Sequence, residues 1–186
     1  SKCLVVRDLA SSSTVATLRA FANSGDIRDM RDFAFRPDGV LVVSQFLPES
    51  NVLLWDWRRN KVLAKRAFQE RAPRWLALSG DGKTNALLTG GTAHASTWDG
   101  DLRRERTRLD VPDIADLALS PDGRRLATTS LTSATVRIWD TDTGEPLLVL
   151  LDTDNHRSGL AFTPDGRLIA GRAGGGFTIW DSVKRQ

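Results

Sequence analysis

Three stretches of the chain carry residue types that could do chemistry. Ala77-Leu78-Ser79-Gly80-Asp81-Gly82-Lys83-Thr84 closes on Gly-Lys-Thr, the ending of a loop that cradles phosphate with backbone N–H groups and a lysine. Gly171 and Gly174-Gly175-Gly176 offer the bare backbone that nucleotide-binding turns use. Asp140-Thr141-Asp142-Thr143-Gly144 spaces its carboxylates as a calcium loop begins. Each fails on context. A phosphate cradle must open a helix, whereas Lys83 leads into an apolar run of strand type. Lys83 also fills the slot of Arg124 and Arg167 in other copies of the same turn. The glycines fall where a tight hairpin needs positive backbone angles. The Asp140 stretch lacks the third acid and the terminal glutamate, and its Thr-Gly is hairpin chemistry.

Nucleophilic catalysis needs a base beside the nucleophile, and His94 and His156 are the only histidines. Neither lies in a Ser, Cys or Asp setting. Cys3 is the only cysteine, so no intrachain disulfide forms and no His/Cys cluster exists for a metal. No catalytic residue, cofactor or metal site is expected. Apolar residues are 40% and charged residues 26% of 186, values of a folded chain rather than a disordered one. No apolar stretch is long enough for a membrane helix, and Ser1-Lys2-Cys3-Leu4-Val5-Val6-Arg7-Asp8 does not read as a leader. The expected location is cytoplasmic, with no membrane partner.

The net charge is +3, a mild basic excess that does not select nucleic acid. The basic residues cluster, however. Arg58, Arg59, Lys61, Lys65, Arg66, Arg71 and Arg74 face one acid, Glu70, and Arg103, Arg104, Arg106 and Arg108 repeat the bias. Such runs fit an acidic partner or a nucleic-acid backbone. They also fit protection of an exposed strand edge. No aromatic residue interleaves the second run, so edge protection is the favoured reading.

The elements that position these residues follow from a repeat. Four turns recur, with Asp38-Gly39, Asp81-Gly82, Asp122-Gly123 and Asp165-Gly166 spaced by 43, 41 and 43 residues. Four pairs recur beside them, Trp55-Asp56, Trp98-Asp99, Trp139-Asp140 and Trp180-Asp181, spaced by 43, 41 and 41. Before each turn stands a large apolar residue, an alanine and another large apolar residue: Phe33-Ala34-Phe35, Leu76-Ala77-Leu78, Leu117-Ala118-Leu119 and Leu160-Ala161-Phe162. Alternation of this kind reads as a strand. Three more short apolar runs follow each of the first three turns, and four strands per unit make an antiparallel meander.

On these residues the chain resembles the WD40 repeat proteins. The third unit is nearest, with Leu117-Ala118-Leu119-Ser120-Pro121-Asp122-Gly123, Val136-Arg137-Ile138-Trp139-Asp140 and Thr143-Gly144. The resemblance spans almost the whole chain and implies an all-β fold, a β-propeller of four-stranded antiparallel blades. The Gly-His pair usual in the family is missing, as is the Asp before the Trp strand. The family's buried Asp–His–Ser/Thr–Trp network is therefore expected not to form, leaving the blades to apolar packing. Repeats this degenerate resemble bacterial ones.

Residues 1–186 then form one propeller segment. Residues 1–22 end a preceding blade, with Asp8 in the Trp-Asp slot. Whole blades follow at 28–68, 71–109 and 113–151, and 157–186 gives an incomplete last blade. The 17 expected strands do not close a ring, so the chain reads as an arc of about four blades from a larger propeller. Its two raw faces are apolar and invite self-association.

The column six residues before each turn Asp holds Asp32, Trp75, Asp116 and Gly159, at the mouth of the central channel. Varied chemistry in one slot fits a position that faces a partner. Asp32, Trp75 and Asp116 of this column, with Arg31, Arg74, His94, His156, Arg157 and Arg172, are the expected partner-binding set. The resemblance implies a non-catalytic scaffold that binds another protein or peptide through this face. Nucleic acid is the less favoured partner. A second reading is the regulatory region of a larger bacterial signalling enzyme, such as a serine/threonine kinase or ATPase. A third, a propeller enzyme, would require an acidic or histidine cluster in the column.

Overall fold

A computed structural model describes residues 4–18, 30–45, 50–68, 73–89, 94–109, 111, 113–130, 132–133, 135–151, 159–172 and 175–181. Every regular element among them is a β-strand, and no helix occurs among the described residues. Sheet I pairs β1 (Leu4–Arg7) with β2 (Thr14–Leu18). Sheet II runs β3 (Met30–Phe35), β4 (Leu41–Gln45), β5 (Asn51–Asp56) and β6 (Lys61–Ala67). Sheet III runs β7 (Pro73–Leu78), β8 (Thr84–Thr89), β9 (His94–Asp99) and β10 (Glu105–Leu109). Sheet IV runs β11 (Ile114–Leu119), β12 (Arg125–Ser130), β13 (Thr135–Asp140) and β14 (Pro146–Leu151). Sheet V has β15 (Leu160–Phe162), β16 (Leu168–Gly171) and β17 (Phe177–Trp180). All pairings are antiparallel between chain neighbours, the meander of propeller blades.

The two repeat markers are turn devices. In the first, Asp122 Oδ1 accepts the Arg124 N–H at 3.1 Å and the Ser120 hydroxyl at 2.6 Å, while the Gly123 N–H closes on the Ser120 carbonyl at 2.9 Å. The Ser120 hydroxyl, Arg124 and the neighbouring guanidiniums hold the Asp122 carboxyl below its ordinary range. Gly123 sits at φ +69, and a Cβ there would lie 2.6 Å from the Thr84 hydroxyl of the sheet before, so glycine is required twice over. The second marker caps the turn after the Trp strand. Asp140 accepts the N–H groups of Asp142 and Thr143, and Asp99 that of Arg103. Asp8 does the same for Ala10 and Ser11. The phosphate-loop look-alike is the β7–β8 turn, and a strand follows it.

The core lies between sheets. Because side chains alternate along a strand, sheet II presents Leu41, Val43, Leu53 and Trp55 to sheet I, and Val42, Val52 and Leu54 to sheet III. The same interleaving joins III to IV through Leu109, Leu117 and Trp139, and IV to V through Val136, Leu160 and Leu168. Every residue of β4 and β8 is buried, whereas almost all of β6 is exposed. No core cluster among the described residues joins sheet V back to sheet I, so the sheets do not close. Large apolar groups stand exposed at this end, Leu151 of β14 at 81% and Phe177 of β17 at 64%. An apolar groove of about 520 Å³ lies between β14 and sheet V.

The buried tryptophans qualify the expectation of purely apolar blades. One limb of the hydrogen-bond network does form, since Trp139 Nε1 donates to Thr128 Oγ1 at 2.9 Å. Trp98 Nε1 finds Ser96 Oγ at 2.8 Å on its own strand. Trp55 Nε1 has no partner among the described residues. By register Val43 holds the place of Thr128, because Leu41 pairs with Trp55 as Leu126 pairs with Trp139. Val→Thr in a core ordinarily destabilises. Here Val43→Thr supplies the missing acceptor, and we expect no loss of stability and a gain of up to about 1 kcal/mol. Urea unfolding of the two proteins checks this.

Candidate functional site

The innermost strands β3, β7, β11 and β15 lie side by side and carry the column predicted to face the channel mouth. Two of its members have their acceptors engaged in joining the sheets. Asp32 Oδ2 accepts the Leu76 N–H of sheet III at 2.7 Å, and its Oδ1 accepts the Phe33 N–H at 2.8 Å. Asp116 repeats the arrangement two sheets on. Its Oδ2 accepts the N–H groups of Gly159 and Leu160 at 3.0 and 2.9 Å, and its Oδ1 that of Leu117 at 2.8 Å. Partial burial pushes the Asp32 carboxyl above its ordinary value, against those two N–H bonds, and the Asp116 charge adds to the rise. Both carboxylates are thus forward clamps, each reaching from one sheet to the next.

Trp75 stands between them in the column and cannot clamp in this way. Its ring is partly buried against the III–IV cluster instead. The Arg74 guanidinium lies 4.8 Å from the ring centroid, in cation–π contact. Arg74 itself is exposed. Arg31 is exposed at the start of β3, and Arg172 is exposed where β16 turns into β17. The structure therefore gathers Asp32, Arg74, Trp75 and Asp116 on the innermost strands. It places His94 elsewhere, buried at the head of β9 and lining a groove beside β6. His156 and Arg157 fall outside the described residues.

The basic runs divide. Arg58 lies over the Trp57 ring at 4.6 Å. Arg106 crosses from sheet III to Asp142 of sheet IV at 3.0 Å, and Arg108 pairs with Glu105 at 3.0 Å. These arginines are inter-sheet and local ties as well as edge charges. The residue that sequence reasoning passed over is Arg66, counted among the run but standing in a repeated apolar slot. Aligning the outer strands on the Trp pairs would have found it.

The comparison with known families falls on the end of β10 and on β11, β12 and β13. Residues 108–140 match the family model described as WD domain, G-beta repeat. This stretch is similar to a WD40 repeat. Its Trp139-Asp140, its turn at Asp122-Gly123 and its Trp139–Thr128 bond are the features on which the neighbouring sheets are variations. A WD repeat-containing protein of Synechocystis, itself uncharacterized, is 30% identical over 100 residues. That match covers 53% of this chain and 29% of the relative, so the chain spans less than a third of that protein's length. The cyanobacterial source fits the bacterial cast of the degenerate repeats. Among the described residues no group of three or more His, Cys, Asp or Glu could hold a metal ion, and no helix is long and apolar enough to cross a membrane.

Proposed function

We propose that the chain is a non-catalytic WD40 module that binds another protein through the face on which β7 begins. The observation that carries this reading is the Arg74–Trp75 pair. A partly buried indole under an exposed guanidinium offers apolar area and charge at little entropic cost, the make-up of an interface anchor. The strand that carries it is fixed, because Asp32 holds the Leu76 N–H immediately after it. WD40 repeats as a class serve protein–protein interaction, which supports the reading.

The test places a photo-crosslinking residue at position 74 and, as a control, at position 83 in the turn at the opposite end of β7. Adducts in the native host are expected from 74 and not from 83; equal yields would sink the proposal. Arg74→Glu, an exposed substitution, is expected to cut affinity for the captured partner at least tenfold, about 1.4 kcal/mol. Its thermal midpoint should stay near that of the parent. Trp75→Ala should lose binding as well, together with some stability, because its ring touches the core.

A further inference from the structure

The outer strands β6, β10 and β14 occupy equivalent places, and register aligns their residues. Arg66 pairs with Val52, Leu109 with Ala95 and Leu150 with Val136. All three point across the joint toward the next sheet's tryptophan. Leu109 is 5% exposed and seals the III–IV joint against Trp139, and Leu150 packs toward Trp180. In the II–III joint an arginine stands in this leucine slot. Its guanidinium lies 4.8 Å from the centroid of the Trp98 ring, and the joint is left with a groove of about 320 Å³.

The lining of the groove is chemically specific. Phe68 meets Trp98 edge-on at 5.8 Å, so one wall is aromatic. Ser96 Oγ accepts the Trp98 N–H and keeps its own proton to donate. Buried His94 and Thr89 form the inner end. Arg108 lies at the rim already paired with Glu105. No described carboxylate pairs with Arg66, which leaves one guanidinium fork facing the opening. A fork of that shape recognises a carboxylate in two parallel hydrogen bonds. The Glu105 charge disfavours a second negative charge, so a monoanion fits better than a phosphate dianion.

We propose that the groove between β6 and sheet III binds a carboxylate on a short aromatic or apolar stem, with Arg66 holding the carboxylate and Trp98 and Phe68 the stem. The site goes beyond the protein-binding reading and does not involve Trp75, so the two stand or fall separately. Leucine in this slot would close the joint as Leu109 does. The arginine gives up that packing, and ligand recognition accounts for it.

The test follows the Trp98 indole N–H by ¹H–¹⁵N correlation spectroscopy of the whole chain, assigned with Trp98→Phe. Phenylacetate is the probe and phenylacetamide its neutral counterpart. A saturable shift with phenylacetate, at least tenfold tighter than with the amide, is expected. Arg66→Leu should abolish it while leaving the thermal midpoint unchanged or higher. No response in the parent chain, an equal response to the amide, or full binding by Arg66→Leu would overturn the proposal. So would a midpoint several degrees lower in Arg66→Leu, which would make the arginine structural. If that variant does not fold, Arg66→Gln must lose the phenylacetate response with a native spectrum, and retention overturns the proposal. An acetylated, amidated Phe-Glu dipeptide distinguishes the source. Tighter binding than phenylacetate assigns the site to a polypeptide carboxylate, and weaker binding assigns it to a free acid.

Discussion

Asp116→Ala is expected to lower stability by about 3 kcal/mol and to loosen sheet V first. The carboxylate accepts three backbone N–H groups, two of them on sheet V. Hydrogen bonds to a charged acceptor contribute roughly 1.5–3 kcal/mol each, and a buried donor left without a partner costs about 1–3 kcal/mol. Gly159 is exposed and regains water, whereas Leu160 is 8% exposed and does not. The sum is therefore nearer one and a half full bonds than three. Asp116→Asn retains a carbonyl acceptor and should lose about half as much. Amide exchange separates this effect from general weakening. The Leu160 N–H should lose protection in Asp116→Ala while the Leu76 N–H, held by Asp32, keeps it. Equal loss at both amides would show that the clamp does not act locally.

Trp55→Ala is expected to cost about 4 kcal/mol, the largest effect of any single truncation proposed for this chain. The ring is fully buried and fills the I–II joint with Leu41, Val43 and Leu53. Trp55→Phe is the more informative variant. It removes an indole N–H that has no partner, so part of the lost packing is offset by relief of that donor. Trp139→Phe breaks a bond to Thr128 and strands a buried hydroxyl. The second substitution should therefore cost about 1 kcal/mol more than the first, other packing being alike. Urea unfolding of Trp55→Phe and Trp139→Phe beside the parent decides it, and the reverse order would mean that the Trp55 N–H is satisfied in solution.

Much of this was legible in the residues. Two markers with one period announced the units, and alternation around a constant alanine announced the innermost strand. Asp8 could be placed in the Trp-Asp slot although Arg7 replaces the tryptophan, and it caps its turn as the others do. The column six residues before each turn Asp was visible as one slot, but not what its carboxylates hold. Varied residues in one slot suggested a surface for partners, yet Asp32 and Asp116 turn their oxygens onto backbone N–H groups of the next sheet. Backbone donors leave no trace in a sequence, so no pairing of residue types could have shown this. Arg66 was hidden differently. Six other basic residues surround it in the chain, and only strand register separates it from them. The Trp139–Thr128 bond was missed because the family's histidine and aspartate are absent, although one limb survives without them.

The clamps have an evolutionary consequence. Asp32 and Asp116 each grip the peptide backbone of whatever unit comes next, and every unit has that backbone. The clamp itself therefore asks for no particular side chain in its successor, and only the apolar packing between sheets does. The two solved tryptophans share this independence, since Trp98 and Trp139 find their acceptors within their own sheets. Where a carboxylate stands in that slot, a new neighbour meets a backbone contact already made, and selection has only the packing of the joint left to adjust.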